Sequence, residues 1–150
     1  MMYSRPFEKK DIDAGMHIWL SSNLEAHSFI PAEYWRKNTA AVRAMIPDAE
    51  VTVCEENGRV LGFIGITEEG YIAGIFVEEQ NRSRGVGRLL MERAKQTHHS
   101  LFLHVYQKNE SAVRFYLREG FVEEERQPEP DTGEIELSMI WKKPCDEEIV

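Results

Sequence analysis

Three apolar, mostly β-branched runs, Val51 to Glu55, Val60 to Ile66 and Tyr71 to Val77, follow one another with only short turns between them, at Glu56-Asn57-Gly58 and Glu69-Gly70. Connections that short join antiparallel neighbours, and Asn-Gly is the strongest local hairpin signal. Directly after the third run comes Arg82-Ser83-Arg84-Gly85-Val86-Gly87, and from there the apolar spacing changes from a strand period to a helix period. A three-strand meander that runs straight into a strand-to-helix turn confines the chain to an α+β domain with a mixed sheet. Gly74 interrupts the third run, where it marks a bulge or a close approach of another backbone or a ligand.

The remaining periodicities complete that frame. Met2 to Phe7 reads as a strand, and Ile12, Met16, Trp19 and Leu20 recur at helical spacing after the acidic start at Asp11. The loop Glu25 to Pro31 breaks that helix, and a second runs from Ala32 to Ile46 until Pro47 ends it. A helix from Val86 to His98, a strand from Leu101 to Tyr106, a helix from Ser111 to Glu119, and strands from Phe121 to Arg126 and Glu134 to Trp141 follow. The count is seven strands and about four helices in one domain over residues 1–143, with 144–150 a tail.

Composition narrows the function classes. With 42% hydrophobic residues in 150, the chain can bury one core. No run approaches the roughly 20 apolar residues that span a bilayer, and Met1 to Lys10 is charged, so a cytoplasmic protein without membrane contact is expected. Two cysteines, Cys54 and Cys145, make neither a disulfide framework nor a metal cluster. A net charge of -8 argues against a nucleic-acid partner, whose phosphates call for a basic surface.

The Arg/Gly turn is a phosphate cradle by its chemistry: glycines bring backbone N–H groups close to an anion, and the helix behind them directs its positive end there. A dinucleotide fingerprint needs a third glycine where Leu90 stands, and a mononucleotide P-loop needs lysine and a hydroxyl residue where Arg88 and Leu89 stand. The remaining pattern, Arg82-x-x-Gly85-x-Gly87, resembles the acetyl-CoA pyrophosphate loop of the GNAT superfamily of N-acetyltransferases. Downstream, Leu101 to Asn109 followed by Ala112, Phe115, Tyr116, Gly120 and Phe121 is similar to the strand, Asn cap, Tyr-bearing helix and Gly-Phe turn of that family. His27 to Ile30, Tyr34-Trp35-Arg36 and Val105 to Asn109 resemble its small bacterial YiaC-type members, which are associated with protein-lysine acetylation.

The resemblance implies a three-layer GNAT fold, a mostly antiparallel seven-stranded sheet, and acetyl-CoA as cosubstrate without a metal. It assigns the pyrophosphate to Arg82, Ser83, Arg84, Gly85, Val86, Gly87 and Arg88, backbone before side chains, and pantetheine to the main chain of Ile75, Phe76 and Val77. Asn109 becomes a cofactor contact as well as a helix cap, and Tyr116 the acid that protonates the leaving thiolate. An ordinary phenol, with a pKa near 10, suits that task without tuning. His104 occupies the position of a glutamate in relatives that acetylate ribosomal-protein N-termini, and is the candidate base or a structural strand histidine. His27, Phe29 and Tyr71 are candidates for the acceptor pocket, and Glu68 and Glu69 an acidic pair beside it. The expected reaction is direct transfer of acetyl to a primary amine of a protein or small molecule by a monomer or homodimer. The alternative is a non-catalytic acyl-CoA-binding module.

Overall fold

The computed structural model describes residues 1–144; the rest of the expected tail, with Cys145, lies outside the described residues. Strands β1 (Tyr3–Pro6), β2 (Glu50–Glu56), β3 (Arg59–Ile66), β4 (Tyr71–Val77), β5 (Ser100–Tyr106), β6 (Val122–Pro128) and β7 (Ile135–Lys142) form one sheet in the order β1-β2-β3-β4-β5-β7-β6. Helices α1 (Ile12–Ala26), α2 (Ala32–Met45), α3 (Val86–Thr97) and α4 (Glu110–Arg118) complete the fold, with short 3-10 turns at Lys9–Asp11, Ile46–Asp48 and Glu79–Asn81. The seven-stranded, mostly antiparallel α+β architecture is the one expected. The first helix is longer than expected and reaches Ala26, so Glu25 lies on a helix.

The sheet separates two cores, which gives the three layers. On one side Val86, Leu90, Met91 and Ala94 of α3 pack on Ile64, Leu101, Leu103 and Met139, all of them buried. Burying each large aliphatic side chain contributes about 1.5–3 kcal/mol. On the other side Trp19 of α1 and Trp35 of α2 meet edge to face at 6.1 Å over Val53, Phe63 and Tyr106. Cys54 is fully buried in the α3-side core, and burial pushes its thiol pKa up.

The functional consequence lies at the middle of the sheet. All strand pairs are antiparallel except β4 and β5, which run parallel and pair only at Tyr71↔Phe102 and Ile72↔Leu103. Beyond that point the two strands part. The register of β3 against β4 shifts between Gly65 and Ile66, leaving Ala73 as the extra residue beside Gly74, so the bulge falls where the sequence marked it. Accordingly Gly74 to Val77 are all half-buried although β4 is the fourth of seven strands, while its neighbour β3 is buried from Val60 to Ile66.

Candidate active site

The parting of β4 and β5 opens a cleft of about 1380 Å³. That exceeds the roughly 300–1,000 Å³ of a pocket for a drug-sized ligand, and suits something longer. Its floor is the β5-facing edge of β4 after the bulge, where no strand among the described residues pairs with Ile75 to Val77 from that side, β3 pairing with them from the other. An extended ligand can add there as a strand would. One of these groups is partly engaged: Ser22 Oγ of α1 donates to the Val77 carbonyl at 3.3 Å.

At one end of the cleft stands the N-terminus of α3. Its cap is Gly85, at φ 88°, with no capping side chain and no acidic residue in the first turn. Ser83 also adopts a positive φ of 66°. Two left-handed residues close together curl the backbone so that successive N–H groups converge on one point, which is an anion nest. A Cβ at Gly85 would meet nothing within 4 Å, so the space above the nest is open. Gly87 has a different reason: a Cβ there would come within 3.3 Å of the Phe115 ring, and its absence lets α3 approach α4.

The arginines of this turn are less uniform than the sequence suggested. Arg84 turns away to Glu56, with both carboxylate oxygens at 3.0 Å, and to Asn81, so its side chain does not line the cleft. Arg82 does line it and pairs across the mouth with Glu25 of α1. Arg88 lines it too and meets Glu92 at 3.3 Å on an exposed surface. Backbone donors, rather than three free guanidiniums, are what this turn can offer an anion.

The wall next to that end is α4. Asn109 caps it by accepting from the Ala112 N–H at 3.4 Å, and Phe115 and Tyr116 both line the cleft. Tyr116 is only 7% exposed, and burial above all, helped by nearby Tyr71, drives its pKa well above that of a free phenol. The expectation of an ordinary phenol is therefore corrected: Tyr116 stays protonated at any physiological pH and is a strong holder of its proton.

The third wall carries the titratable cluster. His104 points out of the Leu103 and Val105 face into the cleft, with its ring 5.5 Å from Tyr71 and its Nδ1 3.9 Å from Glu136 Oε1. Burial raises the pKa of Glu136, and His104 pulls it back. Tyr71 is held protonated by burial and by Glu136. Glu136 was missed in the sequence because its place depends on β7 pairing with β5, which puts Glu136 opposite Tyr106 and two residues from the partner of His104.

Of the expected acceptor residues, Tyr71 and His27 line the cleft. Phe29 does not: it stands behind the wall, edge-on to His27 and Tyr106, with Lys108 over its ring at 5.4 Å. Glu68 and Glu69 sit exposed in the β3-β4 turn, outside the cleft. Among the described residues no group of three potential metal ligands gathers, and no helix is long and apolar enough to cross a membrane.

The sequence of residues 22–139 matches the family model described as Acetyltransferase (GNAT) domain. The chain is 40% identical over 118 residues to the peptidyl-lysine N-acetyltransferase YiaC of Escherichia coli K12, covering 78% of this chain and 81% of that protein. The solution structure of apo-form YjaB from Escherichia coli superimposes with a TM-score of 0.83 at 26% identity, over 96% of this chain and 99% of that one. YncA from Salmonella typhimurium, described as a putative acetyltransferase and solved with its cofactor acetyl-CoA, has the same fold, with a TM-score of 0.71 at 19% identity over 97% and 95%.

Proposed function

The chain belongs to the GNAT family of acetyltransferases, and on that premise we propose that it moves acetyl from acetyl-CoA directly onto the side-chain amine of a protein lysine. The observation that carries the reading is the parted β4-β5 edge, flanked in one cleft by a helix N-terminus without a capping side chain and by a buried tyrosine. The lysine acceptor is taken from the similarity to the peptidyl-lysine enzyme.

These residues fit acetyl-CoA, which supplies the activated acetyl thioester. The N–H groups of the Ser83 to Arg88 turn take the pyrophosphate, and Arg82 adds charge once freed from Glu25. The free edge of Ile75 to Val77 takes the amide-bearing arm. A main-chain N–H beside the Gly74 bulge polarises the reacting carbonyl.

The two ends of the reaction then fall to different groups. Tyr116, kept protonated by burial, donates a hydrogen bond to the sulfur as it leaves. Its raised pKa makes full loss of its proton uphill against a thiol near 8.5, so its main effect is to stabilise the developing charge. At the other end a lysine must be neutral to attack, which costs about 4.6 kcal/mol at pH 7 from a pKa of 10.4. His104 takes the ammonium proton before attack, and Glu136 beside it balances the charge that His104 gains. The second amine proton, lost as the tetrahedral intermediate collapses, passes through solvent to the departing thiolate.

The test is an acceptor screen with acetyl-CoA, in which lysine peptides, free N-termini and small amines are compared by mass spectrometry. Acetylation confined to lysine side chains supports the reading. Binding of acetyl-CoA without transfer to any amine would reduce the chain to an acyl-CoA-binding module.

A further inference from the structure

His27 and Asn109 lie 82 residues apart, yet Asn109 Nδ2 and His27 Nε2 stand 3.2 Å from each other. His27 caps the C-terminal end of α1, its N–H bonded to the Asn23 carbonyl, while Asn109 caps the N-terminal end of α4. The contact therefore ties the helix on one side of the cleft to the helix that carries Tyr116 on the other.

The direction of the bond follows from its surroundings. Asn109 Oδ1 accepts from the Ala112 N–H and the Ser111 hydroxyl, both at 3.4 Å, and this fixes the amide so that Nδ2 faces the histidine. An amide nitrogen only donates, so Nε2 of His27 must carry its lone pair, and the ring's proton sits on Nδ1. Nδ1 is buried without a hydrogen-bond partner among the described residues. The ring is held in spite of that by stacking on Trp35 at 5.1 Å and 24°, and by the edges of Phe29 and Tyr106 at 5.7 and 5.1 Å. Burial alone lowers its pKa to about 4, so the acceptor form is present at any pH at which the protein works.

We propose that His27 is a positioning residue, one that holds the Asn109 carboxamide and with it the start of α4 in the geometry that receives the cofactor. Asn109 keeps one Nδ2 proton for a ligand in the cleft it lines. Tyr116 follows seven residues later, two turns along the same face of the helix, so an error at the cap is passed on to the hydroxyl. This role replaces acceptor binding for His27, and it rests on the reading of the cleft as a CoA site.

Two variants separate the bond from the packing. His27→Phe keeps a ring against Trp35 and removes the acceptor, whereas His27→Gln gives up the ring and keeps an acceptor oxygen. By calorimetry, His27→Phe is expected to weaken CoA binding by roughly three- to tenfold, and His27→Gln to recover most of it. In the pair with Asn109→Ala the losses should not add, because both remove one interaction. Unchanged CoA affinity in His27→Phe, or additive losses, overturns the proposal.

A readout without cofactor keeps this result distinct from the fate of the acetyltransferase reading. Nitrogen NMR of the His27 ring should show a neutral ring with Nδ1 protonated and Nε2 bare down to about pH 4. The opposite tautomer, or titration near the free value of about 6.5, overturns the His27 role even if acetyl transfer is demonstrated. Failure of the native protein to bind CoA at all, with the expected tautomer present, removes the acetyltransferase reading and with it the cofactor role of the contact.

Discussion

Replacing Tyr116 by phenylalanine removes one oxygen from the centre of the proposed chemistry and little else. The side chain is 7% exposed, packed edge to face against Phe115 at 5.4 Å and Phe121 at 5.7 Å, and phenylalanine keeps both contacts. Folding stability at pH 7 should therefore move by less than about 1 kcal/mol. A hydrogen bond to a charged partner is worth about 1.5–3 kcal/mol, and here that partner is the leaving thiolate, which is fully charged only late in the reaction. The expected loss is thus roughly 10- to 150-fold in kcat, with CoA affinity within about threefold of the native protein. Thiol release under saturating acetyl-CoA and lysine peptide measures the first, and calorimetric titration with CoA the second. A kcat within about threefold of native, or a loss of CoA affinity as large as the loss of rate, would refute the role. The same burial has an alkaline consequence. Because the folded phenol holds its proton above the unfolded pKa of about 10, the folded state binds more protons than the unfolded one beyond that point, and Tyr116 lowers stability as pH rises through it. Tyr116→Phe should flatten that part of the melting-temperature profile.

Four further changes test other parts of the cleft. Gly85→Ala puts a side chain at φ 88° with free space around it, so backbone strain of about 1–2 kcal/mol should lower the melting temperature, and CoA binding should fall with the distorted nest. Glu25→Gln releases Arg82 from its cross-cleft partner, and CoA should bind about two- to fivefold more tightly at low salt, with the gain fading as salt rises; weaker binding would mean that the pair prepares Arg82 instead. Glu136→Gln should raise KM for the lysine peptide and lower kcat while KM for acetyl-CoA stays put; an equal rise in KM for acetyl-CoA would remove Glu136 from the acceptor side. His27 is neutral in the folded protein down to about pH 4, so between there and the unfolded value of about 6.5 the unfolded state binds more protons and stability is lost as the pH falls, by at most about 3.4 kcal/mol; His27→Phe should remove that slope from acid melting curves.

What could be read from the chain before its structure was whatever local chemistry controls. Asn57-Gly58 announced its hairpin because both residues take positive φ, and Gly74 announced the bulge of β4 because the strand must yield there. The Arg82 to Gly87 turn was legible for the same reason. The side chains around that turn were not: Arg84 goes to Glu56 and Arg82 to Glu25, partners 28 and 57 residues away that only the tertiary fold selects. Glu136 joined His104 through β7 entering the sheet between β5 and β6, an insertion that leaves no mark on either strand's own pattern. His27 was expected at the acceptor pocket and Asn109 at the cofactor as well as at the helix cap, but nothing in the chain joins two residues 82 positions apart. Phe29 failed to reach the cleft because His27 and Tyr106 stand in front of it.

Every role proposed for these residues rests on direct transfer from acetyl-CoA to lysine within the parted β4-β5 cleft. Free thiol and acetylated peptide, followed together after mixing the protein with acetyl-CoA and a lysine peptide, test it most directly. With direct transfer the two appear in equal amounts with no initial burst of thiol, and intact-protein mass spectra taken without peptide show no acetyl group held on Cys54, which is fully buried. Thiol released in a burst ahead of acetyl-peptide, or acetyl-CoA bound with no transfer to lysine, would contradict it.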